Sequence, residues 1–370
     1  MKRLLCILSG MNAGGAETFL MKLYRALDRT KYQMDFCINV KEKCFYEEEI
    51  LSLGGKIFRI PPKSASVAAF KKNLYEVIQN NHYQYVLRIT SSAMGLMDLK
   101  IAKKAGAQIC AARSSNSSFK SGFATYAAHR IGRWVYMKYV DVKIAPSDLA
   151  AEYTFGKKAY KNGDVQILHN AVDMDVFFYR EEARKKICEE FGIPSDAGII
   201  GHIGRFDRQK NHAFLIDIFS EIHRRDPNTV LLLVGNGPLE DDIRTKVQAL
   251  RIDTAVYFIG VRTDIPELLS AMDVFLLPSF YEGMPNAVIE AQATGLPCVI
   301  SDAITKEANI TGLVTYRSIA QPADVWAETA LSQIHAERVD TEEIFIEKKY
   351  DIQSVVNEFT AMIFSKGGGA

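Results

Sequence analysis

The chain has 370 residues, of which 48% are apolar and 24% charged; this length exceeds one ordinary domain, and the composition excludes a disordered or fibrous protein. No apolar run reaches the roughly 18 residues that a membrane-spanning helix needs, so such a helix is excluded as well. Residues 1–172 carry 26 Lys and Arg against 13 Asp and Glu, a net +13, and the remainder carries 19 against 31, a net −12, which together give the overall +1.

Short apolar runs alternate with longer amphipathic stretches along the whole chain. In the first half the predicted strands are 4–8, 34–40, 56–60, 85–89, 108–111 and 142–145, and the helices are 17–27, 68–80, 95–105 and 125–139. In the second half the strands are 199–203, 230–234, 256–258, 274–277 and 298–300, and the helices are 180–190, 211–224 and 239–250. This alternation predicts parallel βαβ units in two doubly wound sheets of five or six strands, with a domain boundary near residues 169–173.

The first predicted strand ends in a glycine turn that contains Gly14 and Gly15 and leads into a helix. Glycines at this place let an anion approach the backbone N–H groups at the positive end of the helix dipole. The turn is not G-x-G-x-x-G, and no acidic residue closes a second strand about 20 residues later, which disfavours a dinucleotide-dependent oxidoreductase. A purely structural glycine turn remains an open alternative.

Arg205 and Lys210 follow the first strand of the second half and lead into its first long helix. The carboxyl end of a parallel strand is where ligands bind in open α/β sheets. Arg binds a diphosphate bidentately and Lys adds a point charge, so the pair is suited to a nucleotide diphosphate. The alternative is two solvated surface cations.

Two carboxylates follow strand 274–277, Glu282 in a loop and Glu290 in the helix that starts near Pro285. Gly283 and Pro285 shape a turn that directs backbone N–H groups outward. Eight residues are a little over two helical turns, so both carboxylates can face one cleft, where a carboxylate is suited to ribose hydroxyls. A solvated helix face is the alternative.

Residues 282–290 (E-G-M-P-N-A-V-I-E) resemble the signature of the family 4 retaining glycosyltransferases. Residues 204–210, 14–17, 170–173 and 291–301 are similar to further motifs of that family, in the same order and spacing. The similarity covers nearly the whole chain and is greatest to bacterial capsule and exopolysaccharide glycosyltransferases.

The resemblance implies the GT-B fold, an α/β architecture of two Rossmann-like domains with doubly wound parallel sheets that face a cleft. Residues 1–172 would form the acceptor-binding domain, together with a returning C-terminal helix at 350–364. Residues 173–349 would form the nucleotide-sugar-binding domain.

The resemblance also implies roles for the residues singled out above. Arg205 and Lys210 would hold the donor diphosphate, Glu290 the ribose and Glu282 the transferred sugar, which makes Glu282, Arg205 and Lys210 the catalytic set. The remaining donor contacts would be the backbone of Gly283, Met284, Pro285 and Asn286, with Arg262 beside the base and Gly14 and Gly15 beside the distal phosphate.

Glycosyl transfer needs an oxocarbenium-like centre stabilised and a diphosphate leaving group neutralised. Arg205, Lys210 and helix N-termini could neutralise the diphosphate, so we expect neither a metal nor another cofactor. The resemblance implies front-face attack, in which the leaving phosphate takes the acceptor proton. Asp173 and Asp175 have the Asp-x-Asp form of metal-dependent transferases, but they lie in the linker, where a structural role is expected.

Relatives often carry histidines near positions 87–91 and 112–116, and this chain has none there. Hydroxyl, amide and guanidinium groups occupy these positions instead, so Arg113, Ser114 and Asn116 are the candidate acceptor-binding residues. The absence puts a catalytic histidine in doubt. The histidines at 82, 129, 202 and 212 are expected to be structural.

These patterns together predict a retaining glycosyltransferase that uses a nucleotide-sugar, expected to be UDP-linked. The expected acceptor is a saccharide or a lipid-diphosphate-linked saccharide in surface polysaccharide synthesis. The alternatives are a sugar-nucleotide epimerase or a phosphorylase on the same architecture, or a saccharide- or nucleotide-binding subunit without activity. No nucleic-acid partner is expected.

The charge asymmetry bears on where the protein works. A basic first half indicates anionic partners such as phosphates or a membrane surface, although opposite fields would also help two halves dock. Residues 126–139 mix Arg and Lys with Trp134, Tyr136 and Tyr139, as interfacial helices do, or else form an internal helix. None of the six cysteines forms a C-x-x-C pair, so a reducing cytoplasm is expected, with peripheral contact to the inner face of the membrane.

Overall fold

The computed structural model describes residues 1–12, 14–115, 123–334 and 336–365. The chain divides into unit 1, made of Met1–Ala171 and Tyr350–Ala370, and unit 2, made of Val172–Lys349. Unit 2 is therefore inserted between two segments of unit 1. Within the described ranges, no helix combines the length and the apolar character required to cross a membrane.

Unit 1 contains a seven-stranded parallel sheet in the order β3-β2-β1-β4-β5-β6-β7. Its strands are β1 (Lys2–Ile7), β2 (Tyr32–Ile38), β3 (Ile57–Arg59), β4 (Tyr85–Thr90), β5 (Ile109–Ser114), β6 (Val142–Ala145) and β7 (Val165–Ile167). Its helices are α1 (Gly15–Ala26), α2 (Glu47–Ser52), α3 (Val67–Asn80), α4 (Met97–Lys104), α5 (Phe123–Tyr136), α6 (Asp148–Phe155), α7 (Lys157–Lys161) and α15 (Ile352–Phe364), with 3-10 helices at Ala93–Leu96 and Met137–Tyr139.

Both faces of this sheet are covered by helices, which explains the continuous apolar run of β1. Leu4 and Cys6 pack into the core cluster that contains α1 and α15. Leu5 and Ile7 pack into the cluster on the other face, with α3 and α4. Because successive side chains of a strand point to opposite faces, a strand covered on both sides has no polar alternation.

Unit 2 contains a six-stranded parallel sheet in the order β10-β9-β8-β11-β12-β13. Its strands are β8 (Gly198–Ile203), β9 (Thr229–Val234), β10 (Val256–Gly260), β11 (Val274–Leu277), β12 (Cys298–Ser301) and β13 (Val314–Arg317). Its helices are α8 (Glu181–Phe191), α9 (His212–Arg225), α10 (Glu240–Ala249), α11 (Ile265–Ala271), α12 (Asn286–Ala293), α13 (Ala323–Leu331) and α14 (Glu342–Glu347), with 3-10 helices at Arg208–Lys210 and Lys306–Ala308.

The strand count of unit 1 corrects the prediction of five or six strands per sheet. Residues 165–167 form β7 at the sheet edge, where only one neighbouring strand holds them. Two predicted helices are also interrupted: helix 95–105 becomes a 3-10 turn followed by α4, and helix 125–139 ends as α5 at Tyr136 before a 3-10 turn.

Each sheet reverses its strand order at one place. In unit 1, β1 lies between β2 and β4, and in unit 2, β8 lies between β9 and β11. Loops that leave the carboxyl ends of strands at such a switch point diverge and form the crevice where ligands bind in open α/β sheets. The glycine turn follows β1 and the Arg205–Lys210 segment follows β8, so the fold places both motifs at switch points.

Candidate active site

The loop after β8 positions Lys210 by local hydrogen bonds. The Asp207 carboxylate accepts hydrogen bonds from the backbone N–H groups of Gln209 (2.9 Å) and Lys210 (3.3 Å), and so caps the 3-10 helix. Asn211 then has a positive φ of 56° at the start of α9, a conformation that Asn tolerates better than most residues. Arg205, earlier in the same loop, is exposed.

Lys210 meets Glu282 between the ends of β8 and β11. The Lys210 ammonium lies 2.8 Å from Glu282 Oε1, and the two side chains are only 18% and 10% exposed. Ser279 Oγ donates to the same oxygen at 3.1 Å. Gln209 Nε2 donates to Glu282 Oε2, also at 3.1 Å. Both carboxylate oxygens are thus engaged, which holds Glu282 in one orientation.

Three further hydrogen bonds join the loops that follow β8 and β11. Asn211 Nδ2 donates to the Pro278 carbonyl at 3.1 Å, and Gln209 Nε2 donates to the Tyr281 carbonyl at 3.0 Å. The Phe280 N–H donates to the Gln209 carbonyl at 2.9 Å. The loops therefore form one preorganised element, as electrostatic catalysis requires.

Two glycines allow the backbone to approach closely around Lys210. At Gly204, an added Cβ would lie 3.1 Å from Lys210 Cε and 2.9 Å from His202 Nε2. At Gly235, where φ is +129°, it would collide with the Gly204 carbonyl. Gly204 thus leaves room for the aliphatic stem of Lys210. Gly235 lets the loop after β9 pack against the backbone of Gly204.

Two buried histidines lie beside this lysine. His202 of β8 is fully buried and His212 of α9 nearly so, with ring centroids 4.6 Å apart. Burial, and then the charge of Lys210, lowers the pKa of His212 from 6.5 to about 4. Burial, and then His212, lowers the pKa of His202 well below its usual value. Both rings are therefore neutral at neutral pH.

Further residues that were predicted to bind the donor lie around the start of α12. Pro285 is its N-cap and Asn286 its first residue, so Gly283 and Met284 lie at the positive end of the helix dipole. Glu290 lies in the second turn of α12 and is partly exposed.

Arg262 is predicted to lie beside the base, but in the structure its guanidinium is bound by two carboxylates of the protein. Its guanidinium donates to Asp264 at 2.6 and 2.8 Å and pairs with Glu190 at 2.5 and 3.0 Å. The two carboxylates thus occupy the guanidinium, and contact between Arg262 and a base stays a prediction.

In unit 1, Arg113 lies against the helix that begins with the glycine turn. Gly14 is the N-cap of α1 and Gly15 its first residue. The Arg113 guanidinium lies 3.6 Å from the ring centroid of Phe19, in the second turn of α1, and donates to Asn170 Oδ1 at 2.6 Å. Burial lowers the pKa of Arg113 to about 9. The structure thus brings two predicted anion-binding features, Arg113 and α1, into contact.

Ser114 and Asn116 are the other two predicted acceptor residues. The Ser114 hydroxyl is buried and lies 2.6 Å from Thr154 Oγ1. Asn116 lies outside the residues that the structure describes.

Comparison with known proteins identifies the chain. Residues 13–176 match the profile described as Glycosyltransferase Family 4, and residues 197–331 match that of Glycosyl transferases group 1. A Bacillus subtilis protein named "Putative glycosyltransferase EpsF" is 37% identical over 365 residues, which cover 96% of this chain and 94% of that protein. The chain belongs to glycosyltransferase family 4.

A second curated protein and a solved structure are also similar to this chain. The Escherichia coli UDP-Gal:alpha-D-GlcNAc-diphosphoundecaprenol alpha-1,3-galactosyltransferase is 26% identical over 272 residues, or 67% of this chain and 66% of that protein. The structure of HepE from Anabaena, determined with UDP and glucose, superposes with a TM-score of 0.78 at 16% identity over the full length of both chains. The family resemblance and the GT-B fold are thereby confirmed.

Three residues that contact the candidate site of this family 4 glycosyltransferase have no role predicted from the sequence. Gln209 and Ser279 bond to Glu282, and Asn170 bonds to Arg113. Gln209 and Asn170 fall inside the motifs quoted for the family, and Ser279 lies just before one. Their partners were not evident, because Gln209 and Glu282 are 73 residues apart in the chain.

The Asp-x-Asp segment of this glycosyltransferase forms a local turn. Asp173 Oδ1 accepts a hydrogen bond from the Asp175 N–H at 3.1 Å. In the described part of the chain, no three His, Cys, Asp or Glu side chains are arranged to hold a metal ion. Metal independence stays a prediction that needs its own experiment.

Proposed function

We propose that this glycosyltransferase moves a sugar from a UDP-sugar to a saccharide or lipid-diphosphate-linked saccharide, with retention of anomeric configuration, in surface polysaccharide synthesis. One observation carries the proposal: Lys210 and Glu282 are paired at the switch point of unit 2. In this proposal unit 2 binds the donor and unit 1 binds the acceptor.

Lys210 would contact both the diphosphate leaving group and Glu282, the residue proposed to contact the transferred sugar. An ammonium group has three N–H donors, so Lys210 can keep its bond to Glu282 and still donate to a diphosphate oxygen. Glu282, held by Gln209 and Ser279, would then accept hydrogen bonds from hydroxyls of the transferred sugar. Arg205 and the N-terminus of α12 would neutralise the rest of the diphosphate charge. Glu290 would bind the ribose.

The reaction would proceed on one face of the sugar. The bond between the anomeric carbon and the phosphate oxygen breaks, and the acceptor oxygen bonds to the same face of that carbon. The departing phosphate oxygen takes the proton of the acceptor hydroxyl, so no protein base is required. As that bond breaks, negative charge develops on the leaving phosphate. Cationic groups that face it would stabilise this charge and so lower the free energy of the transition state.

One relative and one structural neighbour support the choice of donor, and the relative also supports the choice of acceptor. The Escherichia coli relative is named for a UDP-galactose donor and a diphosphoundecaprenol-linked acceptor, and HepE was determined with UDP. The buried Arg113 beside α1 in unit 1 is suited to an anionic group of such an acceptor. The net charge of +13 in residues 1–172 further supports work at an anionic membrane surface.

A donor panel followed by product analysis tests this function. Thermal-shift measurements with nucleotide-sugars should single out a UDP-sugar, because a ligand at about 100 times its dissociation constant adds about 2.7 kcal/mol of stability. Transfer to lipid-diphosphate saccharides is then measured, and the anomer of the product is determined by NMR. An inverted product would exclude retention, and binding without transfer or hydrolysis would indicate a non-catalytic subunit.

Chelation tests the metal-free mechanism separately. Because Arg205 and Lys210 take the charge-neutralising role, transfer should survive exhaustive EDTA treatment. Loss of activity with EDTA and recovery with Mn²⁺ or Mg²⁺ would instead identify a metal requirement and bring Asp173 and Asp175 back as candidate ligands.

A further inference from the structure

The imidazole ring of His202 is held in one orientation by its neighbours. Its Nδ1 lies 2.8 Å from the carbonyl oxygen of Leu276, on the adjacent strand β11. The ring of His212 lies at 76° to it, with centroids 4.6 Å apart, and the ring of Phe275 lies parallel to it at 6.2 Å. Because His202 is also fully buried, packing fixes the ring in place.

This orientation determines which ring nitrogen of His202 carries the proton. A carbonyl oxygen can only accept a hydrogen bond, so Nδ1 is the N–H that donates to Leu276. Burial, and then the neighbouring His212, holds the pKa of His202 well below its usual value, so the ring is neutral. A neutral ring with its proton on Nδ1 has a lone pair on Nε2, which is therefore a hydrogen-bond acceptor.

Nε2 of His202 has no hydrogen-bond partner in the part of the chain that the structure describes. Buried polar groups are nearly always paired in native proteins, because an unpaired one has lost its hydration without gaining a hydrogen bond. This acceptor therefore indicates that a donor approaches it at some stage of the reaction.

Gly204 leaves open the space between this acceptor and Lys210. A Cβ added to Gly204 would lie 2.9 Å from His202 Nε2 and 3.1 Å from Lys210 Cε. Both atoms thus border one space, and the ammonium nitrogen is bonded directly to that Cε. The ammonium has three N–H donors, and among the described residues Glu282 alone forms an ion pair with it.

We propose that His202 is a positioning residue whose Nε2 accepts a hydrogen bond from the Lys210 ammonium when the donor diphosphate is bound. The three N–H groups of Lys210 then point to Glu282, to a diphosphate oxygen and to His202, which fixes the ammonium toward the leaving group. Because the imidazole is neutral, it orients the ammonium without offsetting its charge, as a second carboxylate would. A preorganised charge stabilises the transition state more than one that must first reorient.

This inference rests on the proposed function, because it assigns a partner to the lysine that is proposed to bind the diphosphate. His202 acts through Lys210 and does not itself touch the substrate. The role therefore has to be separated from a purely structural one, in which His202 only joins β8 to β11 through the Leu276 carbonyl.

Two substitutions of His202 separate these roles. The amide of His202→Asn can replace Nδ1 as the donor to Leu276, but it leaves no acceptor at the position of Nε2. The longer amide of His202→Gln can place its oxygen near the position of Nε2, but it gives up the bond to Leu276. We expect kcat for donor turnover to fall about tenfold in His202→Asn and to stay within about threefold of the wild type in His202→Gln, with little change in KM. Urea unfolding should give the opposite order, with His202→Gln the less stable variant.

A double-mutant cycle with Lys210→Ala tests the connection between the two side chains. If His202 acts through Lys210, His202→Asn should not lower kcat further once Lys210 is absent, so the two losses are not additive. His223→Asn is the matched control, because His223 Nδ1 also lies 3.1 Å from a carbonyl oxygen, that of Thr229, but in the last turn of α9. Its turnover should equal that of the wild type.

Three results would overturn the proposal and assign His202 to the stability of unit 2. They are a wild-type kcat in His202→Asn, a lower kcat in His202→Gln than in His202→Asn, and additive losses with Lys210→Ala. If His202→Asn does not fold, His202→Phe, which keeps the ring volume without either nitrogen, replaces it in the cycle. Normal turnover in Lys210→Ala would contradict the proposed function instead, so the two failures are distinguishable.

Discussion

At the scale of single residues, the Lys210–Glu282 pair has the most direct consequence for catalysis. Lys210→Ala should lower kcat at least about a hundredfold, because an electrostatic contact to the leaving group contributes about 2.7–4 kcal/mol to the transition state. Arg205→Ala should act in the same direction. Steady-state kinetics of donor turnover measures both effects.

The control for this prediction is Lys246→Ala, which removes a lysine of unit 2 that pairs with Asp217 at 2.6 Å on the surface. Its turnover should equal that of the wild type, and circular dichroism should show all three variants folded. Normal kinetics in both Lys210→Ala and Arg205→Ala would mean that these residues are ordinary surface cations.

Residue types were easier to predict from the sequence than their partners. The sequence predicts Arg205, Lys210 and Glu282 as site residues because cations and carboxylates follow strands that end at one edge of a parallel sheet. Nothing in the spacing showed that Gln209 would bond to Glu282, or that Arg262 would pair with Glu190. Both contacts join side chains from distant segments, and only the folded backbone brings those segments together.

At the scale of secondary-structure elements, β8 and α9 are joined through the imidazoles of His202 and His212. The pKa of His212 is lowered from 6.5 to about 4 in the folded state. Between pH 6.5 and about 4, the unfolded state binds a proton at His212 more readily than the folded state does. The free energy of unfolding therefore decreases as the pH falls through this range. The full effect of this residue is about 3 kcal/mol, present above pH 6.5 and lost as the pH approaches about 4.

His212→Phe should remove most of this acid sensitivity. The ring stacks on Phe206 at 4.2 Å, and neither ring nitrogen of His212 has a hydrogen-bond partner among the described residues, so Phe preserves the packing. Urea unfolding between pH 6.5 and 4 should show a flatter dependence in the variant than in the wild type. His82→Asn, at an exposed position with φ +53°, should retain the wild-type slope. An identical slope in His212→Phe would assign the acid sensitivity to other groups.

Strands in the interior of the sheets are predicted most closely from the sequence, and two of the four edge strands are missed. Strand 142–145 has the predicted bounds, and β8 and β9 each begin one residue early. These strands lie in sheet interiors, where apolar runs are continuous. The missed strands β7 and β13 are short edge strands, and β13 is mostly half-buried, so their mixed composition resembles that of loops.

At the scale of the whole molecule, the last helix belongs to the core of the first unit. Phe359 of α15 is fully buried in the cluster that contains β1 and α1, whereas Phe345 of α14 is buried in unit 2. Phe359→Ala should lower the free energy of unfolding of unit 1 by about 3–5 kcal/mol. Hydrogen exchange should accordingly show lost protection in β1 and α1.

Phe345→Ala is the matched substitution for this experiment. It removes the same side chain 14 positions earlier and should reduce protection in unit 2 while β1 and α1 stay protected. Equal loss of protection in β1 and α1 for both variants would mean that α15 does not stabilise unit 1 in particular.

The insertion of unit 2 into unit 1 also determines what proteolysis would do. The chain leaves unit 1 after Ala171 and re-enters it at Tyr350, whose ring stacks on His169 with centroids 4.0 Å apart, so the two passages run side by side. A single cut in either passage yields two fragments, yet α15 remains packed against α1. The nicked protein should migrate as one species until denaturant is added.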